Sequence, residues 1–178
     1  MNRWRPYLEW LAIVAGAVVV ALLIQVVVLQ SFVIPSESMA STLTNGDRVL
    51  VNKLAYTFHE VRRGDVVVIE RPPAAPPARP GEPEDLIKRV IGLPGETIET
   101  RDGVVYIDGR ALTEPYLADG VGTDGLEQPV VIPSGSMFVM GDNRPNSVDS
   151  RRFGAVPTAL LIGRAAILIW PLNRVGFL

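Results

Sequence analysis

The pattern of apolar and polar positions divides the chain into one long apolar run and a series of short apolar segments. Residues 11–29 carry no charged side chain and are interrupted only by Gly16 and Gln25. As an α-helix this run would be roughly 28 Å long, which is about the thickness of the hydrocarbon core of a bilayer. We therefore predict a cytoplasmic N-terminus and a single transmembrane anchor within residues 1–31, and an extracytoplasmic domain over residues 32–178.

The charges beside the apolar run predict its orientation. Arg3 and Arg5 precede it, whereas no basic residue follows it before Arg48. The positive-inside rule then keeps the N-terminus in the cytoplasm and places the rest of the chain on the outer face of the cytoplasmic membrane. A cleaved secretory signal is the alternative, because residues 38–40 offer small side chains at the spacing of a cleavage site. The run is longer than the usual apolar region of a signal peptide, and residues 38–40 lie well beyond its end, which favours an uncleaved anchor.

Beyond the anchor, short segments rich in β-branched and apolar residues alternate with glycine and proline, a pattern typical of strands. Tight turns at residues 101–103 and 108–109 flank one of these segments. No convincing amphipathic helix accompanies them, so we predict a mostly β domain, an antiparallel, partly closed barrel or sandwich. The eight predicted strands cover residues 48–54, 66–69, 87–91, 97–100, 104–107, 130–132, 137–140 and 165–170.

Two segments are predicted to be loops. Residues 71–83 are rich in proline and cannot form a central strand, because proline has no N–H to donate to a sheet. We expect them to be an exposed, extended connector between two strands. Residues 118–128 combine glycine with acidic residues and predict a second, flexible loop.

Composition excludes several classes of function. The chain has no cysteine, so disulfides, thiol catalysis and cysteine zinc sites are impossible. Its net charge is −2 with both signs mixed along the chain, and no basic face indicates a nucleic-acid partner. We expect neither a metal nor another cofactor. Among the 17 basic residues only Lys53 and Lys88 are lysines.

Ser38 is the candidate nucleophile, in the sequence PSESM at residues 35–39, close to the predicted bilayer surface. A serine hydroxyl needs a neighbouring base to remove its proton, and the candidates are His59, Lys53, Lys88 or a carboxylate. His59 is the single histidine and lies in a polar, turn-like stretch, which favours a solvent-exposed loop residue over a catalytic base.

Lys88 lies in the apolar sequence LIKRVI at residues 86–91, where desolvation would disfavour its ammonium form. To act as a general base near neutral pH, its pKa must fall by about 3, which corresponds to about 4 kcal/mol. The alternative is that Lys88 and Arg89 are outward residues of a half-buried strand. Because successive strand residues point to opposite faces, one of the two must face inward or toward a cleft.

Two neighbouring features fit proteolysis. Ser36 is close enough to Ser38 for its hydroxyl, together with the Ser38 backbone N–H, to stabilise a developing oxyanion. The sequence GDNRPNSVDSR at residues 141–151 is a dense polar run after an apolar segment and could brace a site. A solvated loop held by its own side-chain turns is the alternative for this run.

Four sequence boxes in this order resemble the bacterial type I signal peptidases, in their compact single-anchor form. These are PSESM at residues 35–39, RGDVV at 63–67, IKRVIGLPGE at 87–96 and GDNRPNSVDSR at 141–151. The resemblance covers residues 32–170. It implies a membrane-bound Ser/Lys endopeptidase that removes signal peptides from exported preproteins, with small side chains required before the cut.

Carried over by position, the resemblance makes Ser38 the acylating nucleophile and Lys88 its general base. Ser36 and the Ser38 backbone would form the oxyanion hole, and Ser147 would orient the lysine amine.

The resemblance also implies supporting and substrate-binding residues. Asp149 would pair with Arg151, while Arg89 and Asp142 match further supporting positions. The positions at which the family lines its shallow substrate pockets are Phe32, Ile34, Pro35, Met39, Leu43, Leu86 and Ile87. The expected partners are preproteins and the lipid bilayer; the oligomeric state is open.

The chain departs from the family pattern at two positions. Ser41 replaces a proline, which should loosen the local backbone, and Pro145 replaces a commonly acidic residue. Two other functions stay open at this point: a Ser/Lys protease that matures conjugation or pilus proteins, and a non-enzymatic, membrane-anchored β domain.

Overall fold

The computed structural model of the protein describes residues 4–78 and 83–178. An N-terminal helix, α1 (Arg5–Val28), leads directly into strand β1 (Leu29–Val33), which pairs antiparallel with β2 (Arg48–Asn52). Strand β1 crosses the boundary that we predicted between residues 31 and 32. The sheet thus reaches back to Leu29, because backbone pairing with β2 takes over where the helix ends.

Helix α1 covers most of the apolar run at residues 11–29. Within residues 4–78 and 83–178, no helix is both long and apolar enough to cross a membrane. The transmembrane anchor and its orientation therefore stay predictions. Arg3, which entered the prediction of orientation, lies outside the described residues.

The rest of the chain is mostly strands, with two short helices, α2 (Ala55–Phe58) and α3 (Ser150–Phe153). After β2, the strands are β3 (Val66–Glu70), β4 (Asp85–Gly92), β5 (Thr97–Arg101), β6 (Val104–Ile107), β7 (Arg110–Ala111), β8 (Val130–Val131), β9 (Ser136–Met140), β10 (Val156–Pro157), β11 (Leu161–Trp170) and β12 (Gly176–Phe177).

These strands form two antiparallel sheets. The larger sheet has eight strands in the order β1-β2-β11-β3-β4-β9-β10, with β12 beside β11. The smaller sheet has four strands in the order β7-β6-β5-β8. Strand β4 lies near the middle of the larger sheet, between β3 and β9, and its residues 87–92 are buried.

Three clusters of buried apolar residues hold the fold together. The first includes Ile34, Met39 and Leu43, which follow β1, and packs them against residues of β2, β3 and β11. The second lies around Val67 of β3 and includes residues of β4 and β9. The third joins the two sheets, because Phe138 of β9 packs in it with residues of β5 and β6. Burial of apolar surface in these clusters fixes the segments that carry the polar site.

The mostly β, antiparallel class is confirmed, and each of the eight predicted strands corresponds to a strand of the structure. The prediction missed β1 and three strands of two residues each, β7, β10 and β12. Two-residue strands carry too few positions for a visible alternation. The predicted connector contains no strand in its described residues; residues 79–82 of it lie outside the described part of the chain.

Candidate active site

Ser38 lies in the loop between β1 and β2, among residues whose side chains are fixed in the core. Ile34 before it and Met39 after it are both buried in the first cluster. Met39 O accepts a hydrogen bond from Leu43 N at 2.7 Å, which closes a helical turn directly after the serine. Ser38 itself is 8% exposed. Packing on both sides therefore holds the hydroxyl at a defined position beside a cleft.

Lys88 is directed at this hydroxyl from strand β4. Its Nζ donates to Ser38 Oγ at 2.7 Å and to Ile87 O at 2.9 Å. The lysine is 3% exposed. Sequence alternation left open whether Lys88 or Arg89 faces inward; the structure buries both.

The surroundings of Lys88 favour its neutral amine. Burial lowers the pKa of Lys88 to about 8, and the positive charge of Arg71 acts in the same direction. The carboxylates of Asp149 and Asp142 oppose the shift because they stabilise the ammonium form. Desolvation prevails, so the amine loses its proton more than two pH units below an ordinary lysine.

Ser36 lies beside the same pair. Its Oγ is 3.2 Å from Ser38 Oγ, within hydrogen-bond distance. The structure thus brings together Ser36, Ser38 and Lys88, the three residues that the resemblance placed at the reacting atoms.

Arg89 and Asp142 form a buried ion pair next to Ser38 and Lys88, which we call the dyad. Two hydrogen bonds join them, from Nε to Oδ1 at 2.9 Å and from Nη2 to Oδ2 at 2.6 Å. Thr42 Oγ1 donates to Asp142 Oδ2 at 2.5 Å, and the Arg89 guanidinium lies over the Tyr116 ring at 4.1 Å. This pair connects β4 to the turn after Ser38 and to the loop after β9.

Asp149 organises the other side of the site. It caps helix α3 by accepting from Arg151 N at 3.2 Å, and it also accepts from Arg151 Nε at 2.9 Å and from Gly141 N at 3.1 Å. Burial alone would raise the pKa of Asp149, but the hydrogen bond and charge of Arg151 hold it below its usual value, and the nearby Ser147 hydroxyl and Gly141 N–H act in the same direction. The carboxylate therefore stays ionised and fixes the loop before α3.

Ser147 lies in the cleft, but the structure does not place its hydroxyl in contact with Lys88. The hydrogen bonds of Lys88 Nζ go to Ser38 and Ile87. Within the described part of the chain, the buried Ser147 Oγ has no hydrogen-bond partner of good geometry. That Ser147 orients the Lys88 amine therefore stays a prediction.

Two residues that the sequence analysis did not single out hold the backbone at Ser38. Asn143 N donates to Ser38 O at 3.1 Å, and Asn143 Nδ2 donates to Glu37 O at 3.0 Å. Gly141 packs so closely that a Cβ there would collide with Ser38 O and with the Ser147 side chain. Both residues lie in the predicted GDNRPNSVDSR box, so their position was visible but their contacts with residue 38 were not.

Arg144 is a further residue that sequence reasoning missed. Its buried guanidinium donates from Nη2 to Glu114 Oε1 at 2.6 Å and from Nε to Gly141 O at 3.0 Å, and it also contacts Thr123 Oγ1. Thr123 is fully buried and belongs to the segment that we predicted as a flexible loop. Arg144 thus ties the loop after β9 to residues that follow the smaller sheet's β7.

A cleft of about 470 Å³ runs past Ser38 and Lys88. Of the predicted substrate-binding residues, Pro35, Leu86 and Ile87 line it. The other four do not line it. Ile34, Met39 and Leu43 belong to the first buried cluster, and Phe32 packs against that cluster. Their role in binding substrate stays a prediction.

His59 lines a different cleft, of about 820 Å³, together with Lys53, Tyr56 and Glu60. Ser38 and Lys88 do not line that cleft. The structure thus brings neither His59 nor Lys53 to the serine, and Lys88 is the base candidate that it does bring there.

The two departures from the family pattern have clear local structures. Ser41 has a φ of 86°, which proline cannot adopt, and its hydroxyl donates to Tyr116 O at 2.9 Å. Pro145 is in a 3₁₀ turn, Arg144–Asn146, where its missing N–H costs no helical hydrogen bond, and it lines the cleft.

Comparisons with known proteins identify the family. A family model described as signal peptidase, peptidase S26, matches residues 7–170. A signal peptidase I of Leptolyngbya laminosa is 43% identical over 171 residues, which cover 96% of this chain and 83% of the relative. Signal peptidase I T of Bacillus subtilis is 37% identical over 184 residues, covering 97% of this chain and 90% of the relative.

A crystal structure of a signal peptidase I from Enterococcus faecalis is 32% identical and has a TM-score of 0.46, over 60% of this chain and 97% of that one. The resemblance predicted from the four boxes is confirmed by the family model and by the two sequence relatives. The chain belongs to the signal peptidase family, peptidase S26.

Proposed function

We propose that the protein is a serine endopeptidase that removes N-terminal signal peptides from exported preproteins, with Ser38 as nucleophile and Lys88 as general base. Family membership supports the substrate class. The 2.7 Å contact between Lys88 Nζ and Ser38 Oγ, inside a buried environment, is the observation that carries the assignment of the two residues. A neutral amine at this distance can accept the hydroxyl proton directly.

The reaction follows from this geometry in two halves. In the first, Lys88 takes the proton of Ser38, and Oγ attacks the carbonyl carbon of the scissile peptide bond. The resulting ammonium then gives its proton to the leaving amine, which departs as the new N-terminus of the mature protein. In the second half, Lys88 takes a proton from water as the water oxygen attacks the acyl carbon. The ammonium then returns that proton to Ser38 Oγ, which leaves as the bond to the signal peptide breaks and the peptide departs with a free carboxyl group.

Ser36 and the backbone N–H of Ser38 would stabilise the oxyanion that forms in both halves. The Ser36 hydroxyl is 3.2 Å from Ser38 Oγ, so it can donate to an oxygen bound next to that atom. Preorganised donors of this kind lower the barrier because they need no rearrangement as charge develops.

The remaining predicted residues would act through the dyad. Asp142 ties the loop after β9 to Arg89 of β4 and to Thr42 after the serine, while Asp149 with Arg151 fixes that loop internally. Ser147 lines the same cleft as Lys88, and its hydroxyl would orient the amine. Shallow pockets at the predicted substrate-binding positions would admit alanine-like side chains before the cut.

We further propose that residues 1–31 include a membrane anchor with the N-terminus in the cytoplasm, and that residues 32–178 form the catalytic domain outside. Apolar side chains on different sides of α1 are exposed, including Leu11, Ile13, Val14 and Val19. A helix that is apolar all round favours a lipid environment. A protease tethered at the bilayer would meet its anchored substrate in two dimensions, which raises the effective concentration.

The test is cleavage of a preprotein with an Ala-x-Ala site by the detergent-solubilised full chain. Ser38→Ala and Lys88→Ala should each lower kcat by at least about 1,000-fold. His59→Ala should keep wild-type activity, because His59 lines another cleft. Loss of activity with His59→Ala and not with Lys88→Ala would contradict the dyad.

The same assay separates the other functions. A wild type that cleaves conjugation or pilus precursors but no Ala-x-Ala preprotein would support the other maturation pathway. A wild type that cleaves neither, with Ser38→Ala indistinguishable from it in binding partners, would support a non-enzymatic domain.

A further inference from the structure

Arg71 begins the proline-rich connector directly after β3, and its guanidinium joins two distant points of that connector. Nη1 donates to Pro76 O at 2.9 Å, and Nη2 donates to Pro83 O at 3.0 Å. A segment this rich in proline has few N–H groups with which to build its own hydrogen bonds. The arginine fork, which carries several donors in a fixed plane, supplies donors that the connector lacks.

The connector residues that Arg71 holds are one wall of the cleft in which Ser38 and Lys88 lie. Arg71, Pro76, Pro77 and Pro83 line that cleft together with the dyad. Proline side chains present a stiff, apolar surface whose φ is already fixed, so little entropy is lost when a peptide packs against it.

Among the described residues of the connector, Arg71 is also the cation that acts on Lys88. The carboxylates of Asp149 and Asp142 favour the ammonium form of Lys88, whereas burial and the charge of Arg71 favour the neutral amine. The other charged side chains that line the cleft are Glu37, Asp85 and Arg152. Among the charged side chains that line the cleft beside Lys88, Arg71 is the one whose charge is identified as lowering the lysine's pKa.

We propose that Arg71 is a positioning residue for the reaction, which holds Pro76 and Pro83 of the connector in the wall of the substrate cleft and places a positive charge near the Lys88 amine. This inference rests on the proposed dyad of Ser38 and Lys88. The Arg71 side chain thus acts in two separable ways, through its hydrogen bonds to Pro76 O and Pro83 O and through its positive charge.

Two substitutions separate these actions. Arg71→Lys keeps the charge but cannot donate to both carbonyls, whereas Arg71→Gln loses the charge as well. We expect a severalfold higher KM in both variants. In Arg71→Gln alone, the midpoint of the pH dependence of kcat/KM should move up by about half a pH unit. At pH 7 the kcat/KM of Arg71→Gln should therefore be about threefold lower than that of Arg71→Lys.

The matched control is Arg152→Gln, which removes another cation of the cleft and should leave the midpoint unchanged. A plateau of kcat near that of the wild type at high pH shows that each variant is folded. A midpoint of Arg71→Gln equal to that of the wild type, or moved equally in Arg71→Lys, would overturn the role of the charge. A wild-type KM in both variants would overturn the role of the fork.

Failure of the dyad itself would show differently. In that case Lys88→Ala would remain active, and the wild type would lack a rising limb of kcat/KM near pH 8.

Discussion

The cleft that holds Ser38 and the cleft that holds His59 differ in the surroundings of their ionisable groups. The second is larger, about 820 Å³ against about 470 Å³, and it offers a histidine, a lysine and two glutamates. In the first, Lys88 is buried, its pKa is lowered to about 8, and its amine contacts a serine. Burial and fixed hydrogen bonds, rather than cavity size or the number of polar residues, distinguish the site that can perform proton transfer.

The ion pairs of the two regions show the same difference. The side chains of Arg89 and Asp142, beside the dyad, are 8% and 0% exposed. Those of Arg63 and Glu96, whose glutamate lines the larger cleft, are 27% and 20% exposed. The first pair is desolvated and the second is partly in water. Removing the carboxylate charge should therefore destabilise the fold more at the first pair than at the second.

The largest effect is therefore expected from Asp142→Asn. It leaves the buried Arg89 guanidinium without its counter-charge, and we expect the free energy of unfolding to fall by about 3–5 kcal/mol. Glu96→Gln is the matched control in the larger cleft and should cost about 1 kcal/mol or less. Chemical denaturation of the full chain in detergent measures both. Equal losses would mean that the two ion pairs are equally solvated.

A second prediction concerns the cost of burying Lys88. Because its pKa in the folded protein is lowered from 10.5 to about 8, its ammonium form destabilises the fold by about 3 kcal/mol below pH 8. This cost disappears as the pH rises through 8 toward 10.5. Relative to Lys88→Met, the wild type should thus gain about 3 kcal/mol of stability between pH 7 and 10.5.

Lys53 in the larger cleft is the control for this measurement. Lys53 is exposed, so Lys53→Met relieves no burial of a charge and should not reproduce the gain of about 3 kcal/mol. If the difference in stability between Lys88→Met and the wild type does not change with pH, the protonated form of Lys88 does not destabilise the fold.

Gly141→Ala should lower kcat by about 100-fold with little change in KM. The added Cβ would collide with Ser38 O and with Ser147, and a displacement of about 1 Å at a nucleophile has an effect of this size. Gly176→Ala is the control, since its Cβ would meet its nearest neighbour, Arg174 O, only at 3.9 Å. Comparable kcat values for the two variants would contradict the tight contact.

The smallest effect is the pH dependence of the wild type. If Lys88 is the base, kcat/KM should rise about tenfold from pH 6 to pH 7 and level off above a midpoint near pH 8, as the amine loses its proton. Lys53→Met should give the same dependence of kcat/KM on pH, measured by preprotein cleavage in buffers over this pH range. A falling profile over this interval would exclude a neutral amine as base.

The strands and the family could be predicted from the sequence, because the apolar segments and the four ordered boxes are local patterns. Strand β4 is an example: its apolar residues indicated a buried strand, and the structure has Asp85–Gly92 there. The same pattern did not decide between Lys88 and Arg89, since burial of both depends on partners from other elements. Asp142 from the loop after β9 and Ser38 from the loop after β1 supply those partners.

Contacts between distant segments were not predictable. The Arg144–Glu114 pair joins two loops whose closeness no spacing reveals. Strand β1 was missed because Gln30 and Ser31 read as the polar end of the apolar run, whereas pairing with β2 makes them part of a sheet. Met39 and Leu43, which the resemblance assigned to substrate pockets, lie in the first buried cluster, and their role in binding substrate stays a prediction.

The hydrogen bonds from Asn143 to the segment of Ser38 have a consequence for the timing of activity. Asn143 Nδ2 and Glu37 O are separated by 106 positions in the sequence. During synthesis, Ser38, the proposed nucleophile, emerges long before the segment that holds it has been made, and non-local contacts of this kind form late. A growing or truncated chain therefore has a serine but no protease, and proteolysis begins only when the last third of the polypeptide has joined the first.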